Sequence, residues 1–209
     1  GRDLYGRPSL ARLLRELAGV EGIDWIRVMY TYPSLIDDEL IEVFAGEDRI
    51  VKYLDIPMQH GSDIVLKMMN RRSSRAQMVD VCRRLRERVP GLVIRTSLIV
   101  GFPGETDDDF EELLSFIDIV RPERAGVFEF SAEEGTRAYD MPGQVPPEVA
   151  ATRRGTAMEA LARISREFGE SRVGSTVRVL VDGPSDESDL VVEARSYAEA
   201  PEVDGKIYI

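Results

Sequence analysis
The chain has 209 residues, 43% hydrophobic and 31% charged, with no low-complexity tract. Its 27 basic and 38 acidic side chains leave a net charge of −11, which disfavours nonspecific binding to nucleic acid and to anionic membranes, since both repel it. No apolar run reaches the ~20 residues that span a bilayer, no signal peptide is visible, and a single cysteine excludes an internal disulfide, all of which fits a cytoplasmic protein.

In chain order, SLARLLRELAGV carries Leu10, Leu13, Leu14 and Leu17 at helical spacing. DWIRVMY reads as a strand, and DDELIEVFAGE as a helix capped by Asp37 or Asp38, with its acids at the positive end. IVKYLDIP is a strand stopped by Pro57, followed by the helical segments SDIVLKMMNRR and RAQMVDVCRRLRERV. GLVIRTSLIVG is a strand, DDFEELLSFIDIV a helix, and RAGVFEFS a strand. A long helix over 147–172 follows the proline-rich turn MPGQVPPE.

This alternation predicts the α/β class: parallel strands with outer helices, joined by right-handed crossovers, as an open doubly wound sheet or an arc of a β/α barrel. After Gly174 the helix signal ends, and STVRVLVDG, LVVEARSY and GKIYI read as short strands of a small, incomplete β-barrel. Two domains are therefore expected, 1–172 and 173–209. The chain opens on a helix and stops inside a strand, so both ends are expected to be cut from a longer protein.

Two loops carry candidate chemistry. GFPGE follows a strand and precedes a helix, a place where backbone amides can cradle an anion. Asp107, Asp108 and Asp109 at that helix start would repel a phosphate, and the loop has no lysine and no G-x-G-x-x-G pattern. It suits a ligand that is neutral or positive there; the alternative is a plain turn with a glycine at positive φ. IPMQHGSD occupies the equivalent strand end, where parallel β/α folds place ligands. Gln59, His60 and Ser62 supply an amide, an imidazole and a hydroxyl suited to ribose hydroxyls, while Ser62 or Asp63 can also cap a helix.

His60 is the only histidine, which excludes a histidine-based metal site. Cys82 falls in the series Met78, Val81, Cys82, Leu85, Val89, the core face of a helix. Arg95 begins a buried strand and requires a carboxylate, from the protein or a ligand. Glu133 and Glu134, in SAEEGTRA, follow the last parallel strand and read as a substrate contact or as a solvated turn.

Together YLDIPMQHGSD, RTSLIVGFPGET, FSAEEGT and the tail APEVDG resemble the radical S-adenosylmethionine methylthiotransferases. The likeness covers nearly the whole chain. It implies a partial radical-SAM β/α barrel followed by the start of a TRAM-like, OB-like β-domain. One branch of this family modifies an adenosine in tRNA; the other, the RimO type, modifies an aspartate side chain of a small-subunit ribosomal protein. The acidic turn and EAPEVDG are similar to the second branch. From Gly174 onward three bases face eight acids, a net of −5, which favours a basic ribosomal protein over RNA.

The resemblance further implies that S-adenosylmethionine lies against Gln59, Gly61, Ser62, Arg95, Val100, Gly101, Pro103, Gly104 and Glu105. Of these, Arg95 is similar to a family arginine near the ligand's carboxylate end. Glu133, Glu134, Glu199, Glu202 and Asp204 are the substrate candidates. Full-length family members carry two 4Fe–4S clusters, one on a C-x-x-x-C-x-x-C loop; this chain has neither set of cysteines. The alternatives are the tRNA-modifying branch and a noncatalytic binding module.

Overall fold
A computed structural model of the chain describes Gly6 and residues 9–188 and 190–209. The elements are α1 (Leu10–Ala18), β1 (Ile26–Val28), a 3-10 turn (Pro33–Leu35), α2 (Asp38–Gly46), β2 (Ile50–Asp55), α3 (Asp63–Met68), α4 (Arg75–Arg88), β3 (Val93–Val100), α5 (Asp107–Val120), β4 (Arg124–Glu129), α6 (Pro147–Ser171), β5 (Val179–Pro184), β6 (Val192–Ser196) and β7 (Ile207–Tyr208). Strands β1 to β4 lie in sequential order and pair in parallel, as the alternation predicts. Strands β5, β6 and β7 form a separate antiparallel sheet.

The helix starts are fixed by local hydrogen bonds. Asp37 accepts from the Leu40 amide, and Ser74–Gln77 and Thr106–Asp109 form reciprocal capping boxes at the starts of α4 and α5. Arg121, in the left-handed conformation, stops α5.

The parallel sheet is apolar on both faces because both are covered. One face packs Leu54, Ile94, Leu98 and Val100 against the helices, including Phe44, Leu85 and Phe116, and Cys82 lies in this core as its spacing predicts. The other face packs Val51, Tyr53 and Val93 against Ala198 and Ala200, from the segment joining β6 to β7, with Trp25, Phe168 and Tyr197 around them.

Charged groups reinforce this second contact. Arg27 lies over the Tyr53 ring at 4.3 Å and donates to the Tyr197 carbonyl at 2.8 Å. The Tyr53 hydroxyl donates to Asp204 at 2.6 Å, and burial together with that bond pushes the phenol pKa up. Arg95 pairs with Asp55 at 3.0 Å and points Nε at Asp204, 3.6 Å away. Arg124 pairs with Glu199 at 2.8 Å. Burial opposes the charge on Glu199, but the Ser196 and Arg124 hydrogen bonds outweigh it and hold its carboxyl below the usual range.

These contacts correct two expectations. Glu199 and Asp204, candidates for gripping a substrate, turn inward and hold the β-domain on the sheet; Glu202 alone of that trio stays exposed. Arg95 meets a carboxylate, as its burial demands, but both partners come from the protein. It pairs in register with Arg124, the first residue of β4, well below the strand ends where a ligand would sit.

Removing Glu199 strips Arg124 of its counter-charge and the Ser196 amide of its acceptor. Glu199→Ala is expected to cost about 2–3 kcal/mol in urea unfolding, the usual range for a partly buried charged hydrogen-bond network. Trp25 lies in the affected cluster, so its fluorescence reports the transition. A loss under about 0.5 kcal/mol would show that the contact holds nothing.

Candidate functional site
The C-terminal ends of β2, β3 and β4 share one rim because the strands are parallel. Past β2 the chain turns at Pro57 and extends beside β3. There Gln59 donates its amide to the Ser97 carbonyl at 3.0 Å and accepts from the Ile99 amide at 2.8 Å. It does so at φ +72°, a conformation uncommon outside glycine. Its side chain faces a cleft of about 350 Å³, walled by Met68, Ile99, Phe102 and Phe130, with Asn70 and Arg137 at its edge. The Phe102 and Phe130 rings meet edge to face at 5.0 Å.

Behind this cleft lies a buried polar group joining the two loops. The Ser62 amide donates to His60 Nδ1 at 2.9 Å, and the Ser62 hydroxyl donates to Asp109 at 2.6 Å. Glu105 accepts from the Phe102 amide at 3.2 Å and from Arg153 of α6 at 2.9 Å. Burial raises the Glu105 pKa, against the pull of Arg153 and of the Phe102 and Gly101 amides. Burial lowers that of His60 to about 4; Asp109 opposes the shift and Arg153 adds to it. The hydrogen bonding agrees, because a Nδ1 that accepts an amide N–H cannot carry a proton.

Two glycines set how closely these pieces approach. A Cβ on Gly61 would stand 2.6 Å from Phe116 Cβ and 2.8 Å from Leu113 Cα, so only glycine lets this loop lie on α5. Gly101 sits at φ +75°, and a Cβ there would meet Ala150 Cβ at 2.6 Å.

The residues named from sequence thus divide. Gln59 lines the cleft. Gly61, Ser62, Val100, Gly101, Pro103 and Glu105 form the buried frame behind it, and Gly104 is exposed, its amide donating to the Gly143 carbonyl at 2.8 Å. His60 does not face a ribose; it is fully buried. Ser62 caps α3 and spends its hydroxyl proton on Asp109, so it does not face a ligand either. Glu133 and Glu134 lie on the exposed turn after β4, which continues into Arg137. The cleft aromatics Phe102 and Phe130 escaped the sequence reading: Phe102 follows the predicted strand GLVIRTSLIVG, and Phe130 falls inside the predicted strand RAGVFEFS, one residue past the observed end of β4.

Residues 2–117 match the family model of the radical SAM superfamily, and residues 173–209 match that of the TRAM domain. The chain belongs to the radical SAM superfamily. It is 48% identical over its whole length to the ribosomal protein uS12 methylthiotransferase RimO of Geotalea uraniireducens, and covers 47% of that protein. It is 49% identical to the RimO of Pelotomaculum thermopropionicum, again over its whole length and 47% of the relative. The chain therefore spans about half the length of these relatives. Among solved structures, the radical SAM enzyme coproporphyrinogen III oxidase (HemN) of Escherichia coli superposes with a TM-score of 0.57 at 19% identity, over 74% of this chain and 36% of that one. Methanocaldococcus infernus Elp3 gives 0.52 at 13% identity, over 81% and 52%. Both likenesses concern the fold.

Radical SAM membership implies S-adenosylmethionine and a 4Fe–4S cluster in the full-length enzymes. The cleft fits an adenosyl group: its volume is that of a small-molecule site, its walls are apolar and aromatic, and Gln59 and Asn70 add amides. The cluster does not fit these residues, since Cys82 is the only cysteine. Its thiol is buried and pushed up to about 12. No group of potential metal ligands gathers among the described residues.

The His60 environment makes a pH prediction. His60 titrates near 6.5 unfolded and about 4 folded, so its contribution to stability is complete above pH 6.5 and is lost as pH falls toward 4. The loss amounts to about 3 kcal/mol. Glu105 works in the opposite sense, because its raised pKa favours the folded state at low pH. The comparison is therefore with His60→Gln, in which Glu105 remains. Urea unfolding at pH 7 and pH 4.5 should show the wild type losing more stability than the variant; equal slopes would mean that His60 titrates normally.

Proposed function
We propose that the full-length protein is a cytoplasmic radical SAM methylthiotransferase that modifies an aspartate side chain of ribosomal protein uS12. The observation that carries this reading is the 47–49% identity, along 208–209 residues, to proteins named as uS12 methylthiotransferases. Residues 1–172 are read as part of the catalytic barrel and 173–209 as part of the TRAM domain.

In this reading the cleft at the rim takes the adenosyl end of S-adenosylmethionine. When bound beside a reduced cluster, that cofactor supplies a carbon radical able to abstract hydrogen. The residues of this chain bind and orient. Gln59 offers an amide to the ribose, Ile99, Phe102 and Phe130 flank the base, and the backbone through Val100, Gly101 and Pro103 sets the depth of the cleft. Gly61, Ser62, Gly104 and Glu105 hold those loops in place. Both 4Fe–4S clusters would be supplied by parts of the full-length protein outside these residues. Glu133, Glu134 and Glu202 keep exposed carboxylates that suit a basic ribosomal protein. No helix among the described residues is long and apolar enough to cross a membrane.

The test is a deletion of the gene, followed by mass spectrometry of uS12 and of tRNA nucleosides. Loss of a methylthio mass increment from one aspartate of uS12, with tRNA unchanged, is the expected result. Loss of a methylthioadenosine with uS12 intact would transfer the assignment to the tRNA branch. No change in either would leave the binding-module reading.

A further inference from the structure
One buried donor stands out in the frame behind the cleft. His60 is fully buried, and its Nδ1 is occupied as an acceptor, so the ring proton sits on Nε2. Among the described residues, His60 Nε2 and Arg95 Nε are the buried side-chain atoms without a hydrogen-bond partner. Nε2 stands 3.7 Å from Glu105 Oε2, just beyond hydrogen-bond reach and too close for a water to bridge. An unmet buried donor is destabilising, so its persistence calls for a reason.

The surroundings supply one. His60 belongs to the turn that carries Gln59 into the cleft. Glu105 closes the turn that carries Phe102, and its Oε2 already accepts the Phe102 amide. Arg153 grips the other Glu105 oxygen from α6 and also holds Asp107. Ser62 ties the first turn to Asp109, which caps α5 through Thr106. His60 to Glu105 is thus the place where the turn behind Gln59 faces the turn behind Phe102 directly, with a donor on one side and an acceptor on the other.

We propose that His60 is a positioning residue whose Nε2–H and the Glu105 carboxylate couple the two cleft turns, so that an adenosyl ligand is gripped by Gln59 and Phe102 as one unit. A ligand pressing on both turns draws the pair into a hydrogen bond, and the pair in turn raises the affinity for that ligand. The inference rests on the cleft being the adenosyl site, and it adds a residue that touches no ligand.

Two variants separate the two ring nitrogens. His60→Asn keeps an acceptor near Nδ1 for the Ser62 amide and loses the reach to Glu105. His60→Gln places a donor near Nε2 and loses the acceptor. The measurements are made on the full-length protein, reconstituted anaerobically. Binding of S-adenosylmethionine and of 5′-methylthioadenosine is followed by calorimetry, with thermal unfolding alongside. Methylthioadenosine has the adenosine but no amino-acid end, so it reports the cleft without the cluster.

The expected result is about tenfold weaker binding of both ligands by His60→Asn, and binding by His60→Gln within threefold of wild type. Glu105→Gln should weaken binding as well, and adding it to His60→Asn should cost little more. Should His60→Asn fail to fold, Glu105→Gln alone against His60→Gln with Glu105→Gln carries the same comparison. Equal binding by all variants overturns the coupling while leaving the adenosyl site intact. Parallel losses in His60→Asn and His60→Gln, tracking thermal stability, reduce His60 to a structural turn residue and also overturn it. A wild type that binds neither ligand removes the adenosyl reading itself, and the coupling with it.

Discussion
Ionised side chains on the sheet face away from the helices have to be paired, because removing a charge from water costs several kcal/mol. Asp55, Arg95 and Arg124 stand on this face, with Arg27 over Tyr53 beside them. Asp55 and Arg95 neutralise each other across adjacent strands. Arg124 and Arg27 have no such neighbour on the sheet; the end of β6 and the segment after it supply Glu199 to one and the Ser196 and Tyr197 carbonyls to the other. The same segment seats Ala198 and Ala200 against Tyr53 and Val93, so apolar burial and charge pairing act at one place. The position of the β-domain follows from this requirement.

The two ends of the sheet are consequently built differently. The lower part is closed by protein groups with opposite charges. The rim is made of turns whose backbone bonds are satisfied locally, by Gln59 on β3 and by Gly104 on Gly143. Turns whose backbone is met by neighbouring backbone in this way can leave side chains such as Gln59 to line a surface, and the cleft lies there. Rigid support comes from behind, where α6 sends Arg153 to Glu105 and α5 sends Asp109 to Ser62.

The parallel sheet was legible because strand-like and helix-like segments alternate, with strands β1 to β4 rich in apolar residues and the helices between them apolar on one side. The need of Arg95 for a carboxylate was legible from burial alone. Its partners were not, because Asp55 and Asp204 are remote in sequence and pairing depends on register. Glu199 and Asp204 were misread for a related reason: a charge count treats every acid as solvated. His60 looked like a ligand group because its loop follows the C-terminal end of a parallel strand; only the Ser62 amide on its Nδ1 reveals that it serves the loop itself. Phe102 and Phe130 were missed because an aromatic residue beside a strand end has the same sequence signature whether it fills a core or lines a cleft.

The inward turn of the acids also changes what a partner would meet. The net charge of −5 from Gly174 onward counts groups that the fold has already neutralised. Glu199 answers Arg124, Asp204 binds Tyr53 and faces Arg95, Asp182 pairs with Arg195, and Glu193 pairs with Lys206. Among the described residues this leaves Asp186, Glu187 and Glu202 against Arg178, which lies over the Trp25 ring. Such a field steers a basic protein only weakly at physiological salt, where exposed charges are screened beyond about 8 Å. Glu133 and Glu134 are different: both are exposed, and the turn that bears them continues into the cleft wall at Arg137 and Ala138. An attraction acting there would bring a positively charged group to the edge of the cleft, whereas one acting on the β-domain would act away from it. The exposed carboxylates nearest the cleft therefore stand at the rim, on the turn after β4.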